Sequence, residues 1–131
     1  MSHDLTSTVP RRLSVNQAKD CLSIDYAGDV RHPLSAEYLR VHSPSAEVRG
    51  HGKGQEVLQF GKRLVTINSI TKSGNYAIQI FFSDGHDSGI FTWDYLYDLG
   101  ANYDSYWATY LETLNQAGQS RDPDTQVVKL V

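Results

Sequence analysis

Residues Gly74-Asn75-Tyr76-Ala77-Ile78-Gln79-Ile80-Phe81-Phe82-Ser83-Asp84-Gly85-His86-Asp87-Ser88-Gly89-Ile90-Phe91-Thr92-Trp93 decide the fold. Tyr76, Ile78, Ile80 and Phe82 alternate with their neighbours, the period of a strand with one buried face. A polar, glycine-bearing turn interrupts the pattern at residues 83–89, and Ile90-Phe91 resumes it. Thr92 then stands where a helix N-cap is needed, because its hydroxyl can accept one of the first unpaired N–H groups. The unit predicted is strand, turn, strand, helix, with Asp84, His86 and Asp87 crowded at its tip. Loop tips held on rigid strands are frequent sites of function.

Upstream, Leu13 and Val15 alternate, as do Leu22, Ile24 and Tyr26. Ala27-Gly28-Asp29 supplies a turn before Val30-Arg31-His32, so antiparallel hairpins with one buried face are expected. Pro33 lacks an N–H and closes that strand or puts it at an edge. Ser35 can cap a short helix through Arg40, with Tyr38 and Leu39 inward. Ser43-Pro44 is a second helix-start signal, proline being tolerated at the first helical position. Gly50-His51-Gly52-Lys53-Gly54 reads as a loop. Val65 and Ile67 alternate but Ile70 falls out of phase, which predicts a bulge near Asn68-Ser69.

Downstream, residues 93–99 read as a helix ended by Gly100 in the left-handed cap position. Tyr103, Trp107, Tyr110, Leu111 and Leu114 share one face of a further helix, stopped by Gly118. Strands first and helices last imply an α+β domain: an antiparallel sheet with C-terminal helices packed on one face. Residues 1–10 are expected as a flexible arm, 11–118 as a single domain and 119–131 as a flexible tail.

The 131 residues suit one domain, and 40% apolar with 21% charged content is ordinary for a soluble protein. A net charge of −3 argues against a nucleic-acid partner, and Lys53, Lys62, Arg63 and Arg49 read as solvated surface. Cys21 stands alone, so no internal disulfide or cysteine-rich metal site can form. The sequence has no apolar run long enough for a membrane helix and no signal-peptide pattern at Met1-Ser2-His3-Asp4. A cytoplasmic protein without membrane contact is expected.

Tests for catalytic chemistry fail one by one. Gly50-His51-Gly52-Lys53-Gly54 lacks the spacing and the Ser or Thr of a phosphate-binding P-loop. His3, His32, His42, His51 and His86 form no HExxH and no His-x-Asp/Glu pair. There is no Gly-x-Ser-x-Gly elbow, and Cys21 has no local His or helix N-terminus to activate its thiol. Asp84 and Asp87 resemble paired carboxylates, yet turns favour Asp for their own backbone hydrogen bonds. Aromatic residues are dense from Phe91 to Tyr110, and Tyr95 and Tyr97 cannot both face inward with Leu96 and Leu99. An aromatic left exposed there would suit a ligand or protein contact.

Leu39-Arg40, Ser43-Pro44-Ser45-Ala46-Glu47-Val48, Gly74-Asn75-Tyr76-Ala77-Ile78 and Ser83-Asp84-Gly85-His86-Asp87-Ser88-Gly89 together resemble one family. It is the small domain at the N-terminus of gamma-butyrobetaine hydroxylase, which also occurs alone in bacterial proteins of unknown function. The resemblance spans residues 12–100. It implies a structural zinc held by Cys-x-Cys-x-x-Cys after the Leu-Arg pair and by a later histidine. The three cysteine positions fall on Ser43, Ser45 and Val48, and only the histidine, His86, is kept. A degenerate zinc site follows, since serine is a poor zinc ligand and valine is none. The oxygenase domain is not part of the resemblance, so hydroxylase activity is not implied. A likeness to the C-terminal appendage of Mrp-type iron–sulfur carriers implies service to a partner, in cluster assembly or beside a metabolic enzyme.

The leading expectation is therefore a non-enzymatic, stand-alone interaction module with a protein partner and no cofactor. Candidate binding residues are Asp84, His86, Asp87, Tyr76, Trp93, Arg40 and His51. The rival is a site for zinc, iron or a small ligand centred on His86, with Asp84, Asp87 and His51 or His42 contributing. A third reading is a small acid–base enzyme built on Asp84 and His86.

Overall fold

The computed structural model describes residues 7–50, 54–124, 128 and 130. Three short strands form the first sheet: β1 (Arg12–Val15), β2 (Cys21–Tyr26) and β3 (Val30–Ser35), antiparallel in the order β1-β2-β3. The alternation seen in the sequence is realised on β2, which buries Leu22, Ile24 and Tyr26 between its two partners. Gly28 and Asp29, at φ of 78° and 61°, turn β2 into β3. Glycine enters this region freely, and Asp is one of the few other residues that tolerates it. Pro33 sits on the edge strand β3, where its missing N–H interrupts no second ladder.

β3 runs straight into α1 (Ala36–Val41). The Ser35 hydroxyl accepts from the Tyr38 N–H at 3.0 Å, the predicted cap. All six residues of α1 are buried, Glu37 and Arg40 included. α2 (Ala46–Arg49) starts with Ser45 in the N-cap position, so Pro44 precedes the helix instead of opening it. Ser45 has the extended backbone usual for an N-cap, and its hydroxyl, with that of Ser43, turns toward His86.

The second sheet holds β4 (Ile67–Ser73), β5 (Ala77–Phe82) and β6 (Ile90–Thr92), antiparallel in the order β4-β5-β6. The chain is thus α+β as expected, with its strands divided between two three-stranded sheets. The register slips between Ile67 and Ser69, which is the bulge that the phase of Ile70 predicts. Ala77, Ile78, Ile80 and Phe82 of β5 are buried, whereas Tyr76 falls in the turn before the strand and is 66% exposed. Thr92 caps α3 (Trp93–Ala101) by accepting from the Tyr95 N–H, and α4 (Tyr103–Ala117) ends at Gly118 in the left-handed conformation. On α4 the inward face is narrower than expected: Tyr110 and Leu114 are buried, but Leu111 is largely exposed.

Both sheets feed one core. Leu22, Ile24 and Leu34 from the first meet Ile67, Ile80, Phe82 and Phe91 from the second, closed by Tyr38 and Leu39 of α1 and by Leu96 and Leu99 of α3. The Tyr38 hydroxyl enters this core only because it donates to the Leu99 carbonyl at 2.6 Å. A smaller cluster of Val41, Tyr110 and Leu114 ties α4 to the end of α1. Residues 119–124, expected within a flexible tail, instead lie along residues 61–63. Gly61 and Arg63 donate their N–H groups to the Ser120 and Arg121 carbonyls, and Arg121 pairs with Glu37 through two bonds of 2.8 and 2.7 Å. Sequence alone did not show this because Glu37 lies 84 residues away. No helix among the described residues is long and apolar enough to cross a membrane.

Gly100 does not end α3, as its identity suggests; it lies inside the helix where α3 crosses β3. A Cβ there would stand 2.1 Å from His32 Nδ1 and 2.8 Å from His32 Cβ. The His32 ring is itself hemmed in by Tyr26 and Tyr97, at centroid distances of 5.1 and 5.4 Å. Gly100→Ala would gain about 1 kcal/mol of helix propensity. Overpacking costs about 1–3 kcal/mol. We expect the substitution to lower the melting temperature in a thermal unfolding experiment. A stabilised variant would mean that α3 does not pack on β3 in this way.

Candidate functional site

The 83–89 tip is a closed hydrogen-bonded knot. Gly85, at φ 91°, makes the turn that lets the Phe82 N–H reach the His86 carbonyl at 3.0 Å. Asp84 receives Arg40 Nε and Lys62 Nζ, each at 2.9 Å, and the His86 N–H at 3.2 Å. Burial pushes the Asp84 carboxyl up, but these three donors outweigh it and bring its pKa down to about 2. Arg40 also donates to Gln59 Oε1 at 3.0 Å, a second partner for its buried charge.

His86 is buried beneath this turn. Its Nε2 lies 2.8 Å from Ser43 Oγ and 3.3 Å from Ser45 Oγ, both of them buried hydroxyls. Its Nδ1 faces Glu47 at 3.6 Å, while Glu47 accepts a 2.5 Å bond from Ser88. Burial holds the His86 ring below its ordinary pKa; Arg40 and Lys62 add to that, and Glu47 and Asp84 oppose it. Gly89 completes the knot, since a Cβ there would meet Ser43 Oγ at 2.3 Å.

The chain matches, over residues 13–97, the family described as gamma-butyrobetaine hydroxylase-like, N-terminal. It belongs to that family. Two members of its structural neighbourhood were solved by NMR in solution. One is 50% identical, with TM-score 0.79, over 94% of this chain and 97% of its own. The other is 40% identical, with TM-score 0.75, over 100% of this chain and 98% of its own. A crystal structure of a protein of unknown function of the DUF971 family, from Acidithiobacillus ferrooxidans, is 34% identical with TM-score 0.60. It aligns over 72% of this chain and 94% of that one. No match is found among curated proteins.

The zinc ligand positions implied by the hydroxylase-like family bear directly on this knot. Ser43 and Ser45 converge on His86, as ligands to one ion would, and Val48 is buried on the next turn. The chemistry does not fit zinc: two neutral hydroxyls and an isopropyl group stand where thiolates are needed. Among the described residues no cluster of three or more His, Cys, Asp or Glu could hold a metal ion.

The structure gathers Asp84, His86 and Arg40 into the knot and separates the other candidates from it. Asp87 is exposed, and its carbonyl accepts from Gln79 Nε2 at 2.6 Å. Tyr76 and Trp93 lie at the opposite end of β5, roughly 20 Å along the strand. There the Trp93 N–H donates to the Tyr76 carbonyl and the indole N–H to the Asn75 carbonyl. His51 lies outside the described residues.

A second feature was not anticipated as a site. Two adjoining concavities of about 720 and 710 Å³ share His42, Glu56, Leu58, Tyr95 and Tyr110. Together they form one groove between α1–α2, residues 56–59, α3 and α4. His42 is its centre: Nδ1 donates to the Tyr38 carbonyl at 2.8 Å, which leaves Nε2 as an unprotonated acceptor. Burial holds this ring below its ordinary pKa, with the Tyr38 bond opposing. Several other polar groups of the groove are engaged, while the Ser105 and Thr109 hydroxyls that also line it have no hydrogen bond among the described residues. Asp98 accepts from Tyr106 and Asn102, Glu56 accepts from the Gly54 N–H, and Tyr95 and Tyr110 donate to the His42 and Gln59 carbonyls. The one sequence signal was Tyr95, whose position beside Leu96 and Leu99 denied it full burial.

Two sets of predictions follow from the buried histidines and from the knot. His32, His42 and His86 are all held below 6.5, chiefly by burial. As pH falls through 6.5 the unfolded chain takes up protons that the folded chain refuses, so stability should decline from pH 7 to 5. Asp84 should add a second loss, beginning near its unfolded value of 3.8 and continuing toward about 2. His86→Ala should cost about 1–3 kcal/mol at pH 7, by stranding buried hydroxyls. Chemical denaturation across this pH range checks both, and a flat profile would contradict the buried neutral histidines.

The second concerns zinc. Ser43→Cys, Ser45→Cys and Val48→Cys combined should create a site that takes up one equivalent of zinc with His86, and zinc should raise its melting temperature. The parent protein should show no melting shift with a chelator. Elemental analysis and thermal unfolding decide the matter, and a triple variant indifferent to zinc would mean that the positions do not converge.

Proposed function

We propose that this chain is a non-catalytic binding module that takes a protein partner in the groove around His42. The observation that carries the reading is the contrast between the two sites. At the tip the two central acid–base groups are spent on internal bonds, with Asp84 held by two cations and His86 by two serines. In the groove, apolar and aromatic walls surround an uncommitted ring acceptor, His42 Nε2, beside Val57, which is 52% exposed.

That chemistry describes the partner segment. It offers an apolar side chain to Val41, Leu58 and Tyr110, and beside it an N–H or O–H donor to His42. Proteins of iron–sulfur assembly or a metabolic enzyme, the classes implied by the family resemblance, are the first candidates. The proposed compartment is the cytoplasm, and the single cysteine suits a reducing one. No resident metal or cofactor is needed for this role.

The test places a photo-crosslinking residue at Val57 and, in a second protein, at Tyr76, which is exposed at the far end of β5. We expect Val57 to give a discrete adduct in cell extract, with the captured protein identified and then rebound in purified form. His42→Phe, shown to be folded by thermal unfolding, should weaken that rebinding by about fivefold, the equivalent of one hydrogen bond. Adducts from Tyr76 alone, or binding indifferent to His42, would overturn the reading.

A further inference from the structure

Positive charge on this protein is strongly segregated. Apart from Lys53 and Lys129, which lie outside the described residues, the chain has ten lysines and arginines. Arg31, Arg40, Lys62, Arg63 and Arg121 are in salt bridges, and Arg49 lies over the Tyr95 ring. Four cations remain: Arg11, Arg12, Lys19 and Lys72. Three of them, Arg11, Arg12 and Lys72, line a single cleft of about 360 Å³.

The cleft lies where the edge strand β1 of one sheet faces the edge strand β4 of the other. Its floor is Leu13, Ile70 and Ile78, and Trp93 forms a wall, its indole held by the bond to the Asn75 carbonyl. Among the described residues no carboxylate lines it, although the chain carries a net charge of −3. Two neighbouring acids have other hydrogen-bond partners. Asp25, opposite Arg12 in the sheet register, is gripped by Arg31 at 2.6 and 3.0 Å and also attracts Arg12 from a neighbouring concavity, and Asp94 accepts from Thr8. Cations on edge strands can serve simply to prevent edge-to-edge pairing. That role calls for no apolar floor and no aromatic wall.

We propose that this cleft is a binding site for a small organic anion: phosphate or carboxylate groups on a flat apolar body. The oxygens meet Arg11, Arg12 and Lys72, and the body lies against Trp93 and the Ile70–Ile78 floor. Arginine favours such oxygens through its planar fork, and a volume of this size suits a small ligand. The site is separate from the His42 groove and stands whether or not the groove binds a partner.

The test is an NMR titration of the full chain, read at the Trp93 indole N–H. The probes are adenosine 5′-diphosphate as phosphate source and phthalate as carboxylate source, with inorganic phosphate and adenosine as controls. We expect saturable shifts for at least one of the two anions, with a dissociation constant below about 1 mM and controls at least about tenfold weaker. Which anion binds identifies the source of charge. Combined Arg11→Gln, Arg12→Gln and Lys72→Gln should weaken binding by about tenfold or more while leaving the melting temperature unchanged. Should that variant fail to fold, Lys72→Gln alone should still weaken binding measurably. Absence of saturation with both anions, equal binding of inorganic phosphate or of adenosine, or binding unaffected by the substitutions would each overturn the proposal.

Discussion

Two opposite charges buried on one six-residue helix govern the long-range organisation of this protein. Glu37 and Arg40 of α1 are 6% and 7% exposed, and a charge so placed is tolerated only with a partner. Neither finds one nearby. Arg40 draws Asp84 from 44 residues away, and Glu37 draws Arg121 from 84 residues away. The first pairing folds the β5–β6 tip over α1. The second straps residues 119–124 across the segment before β4, where Arg121 also covers the Trp107 ring at 5.0 Å. Removing either partner leaves an uncompensated charge in the core, far costlier than losing a surface ion pair.

This constraint explains why the most conspicuous polar cluster in the sequence is not the most available one. Asp84 is required by Arg40 and Lys62, and that fixes the turn on which His86 is carried. His86 is then buried over Ser43 and Ser45. A carboxylate held near pKa 2 by two cations is a weak base, and a buried histidine bonded to hydroxyls is shielded from a ligand. The groove on the other side of α2 has the opposite character. His42 Nε2 is left as an open acceptor there, and much of its wall is apolar or aromatic.

Much of the local structure was legible because it rests on local causes. Ser35 and Thr92 cap helices, Gly118 ends one, and Ile70 betrays a bulge; each depends on a handful of adjacent residues. The family blocks around Ser43, Ser45 and His86 also marked residues that do meet in space. What could not be read depends on distant neighbours. Gly100 looks like a helix stop until His32 is seen against it. The groove draws on four separate stretches of chain, with no spacing to announce it. The split into two sheets is equally silent, because alternation fixes a strand's faces and not its partners.

The knot at His86 shows how a fold keeps a turn after the chemistry of a metal site has gone. The hydroxylase-like resemblance implies a zinc ion joining residues 43–48 to the histidine, one strong link among four ligands. Here the same segments are joined by Ser43 and Ser45 to His86, by Ser88 to Glu47, and by the close approach of Gly89 to Ser43. Each such bond contributes about 1 kcal/mol, so none alone replaces a metal. The Arg40–Asp84–Lys62 cluster supplies the rest by fixing the other arm of the turn from beneath. A link made of many weak parts forms without metal and loosens as its histidine and carboxylate take up protons. In this chain the turn therefore answers to pH through buried charge and neutral imidazole, where a thiolate site would answer to metal supply.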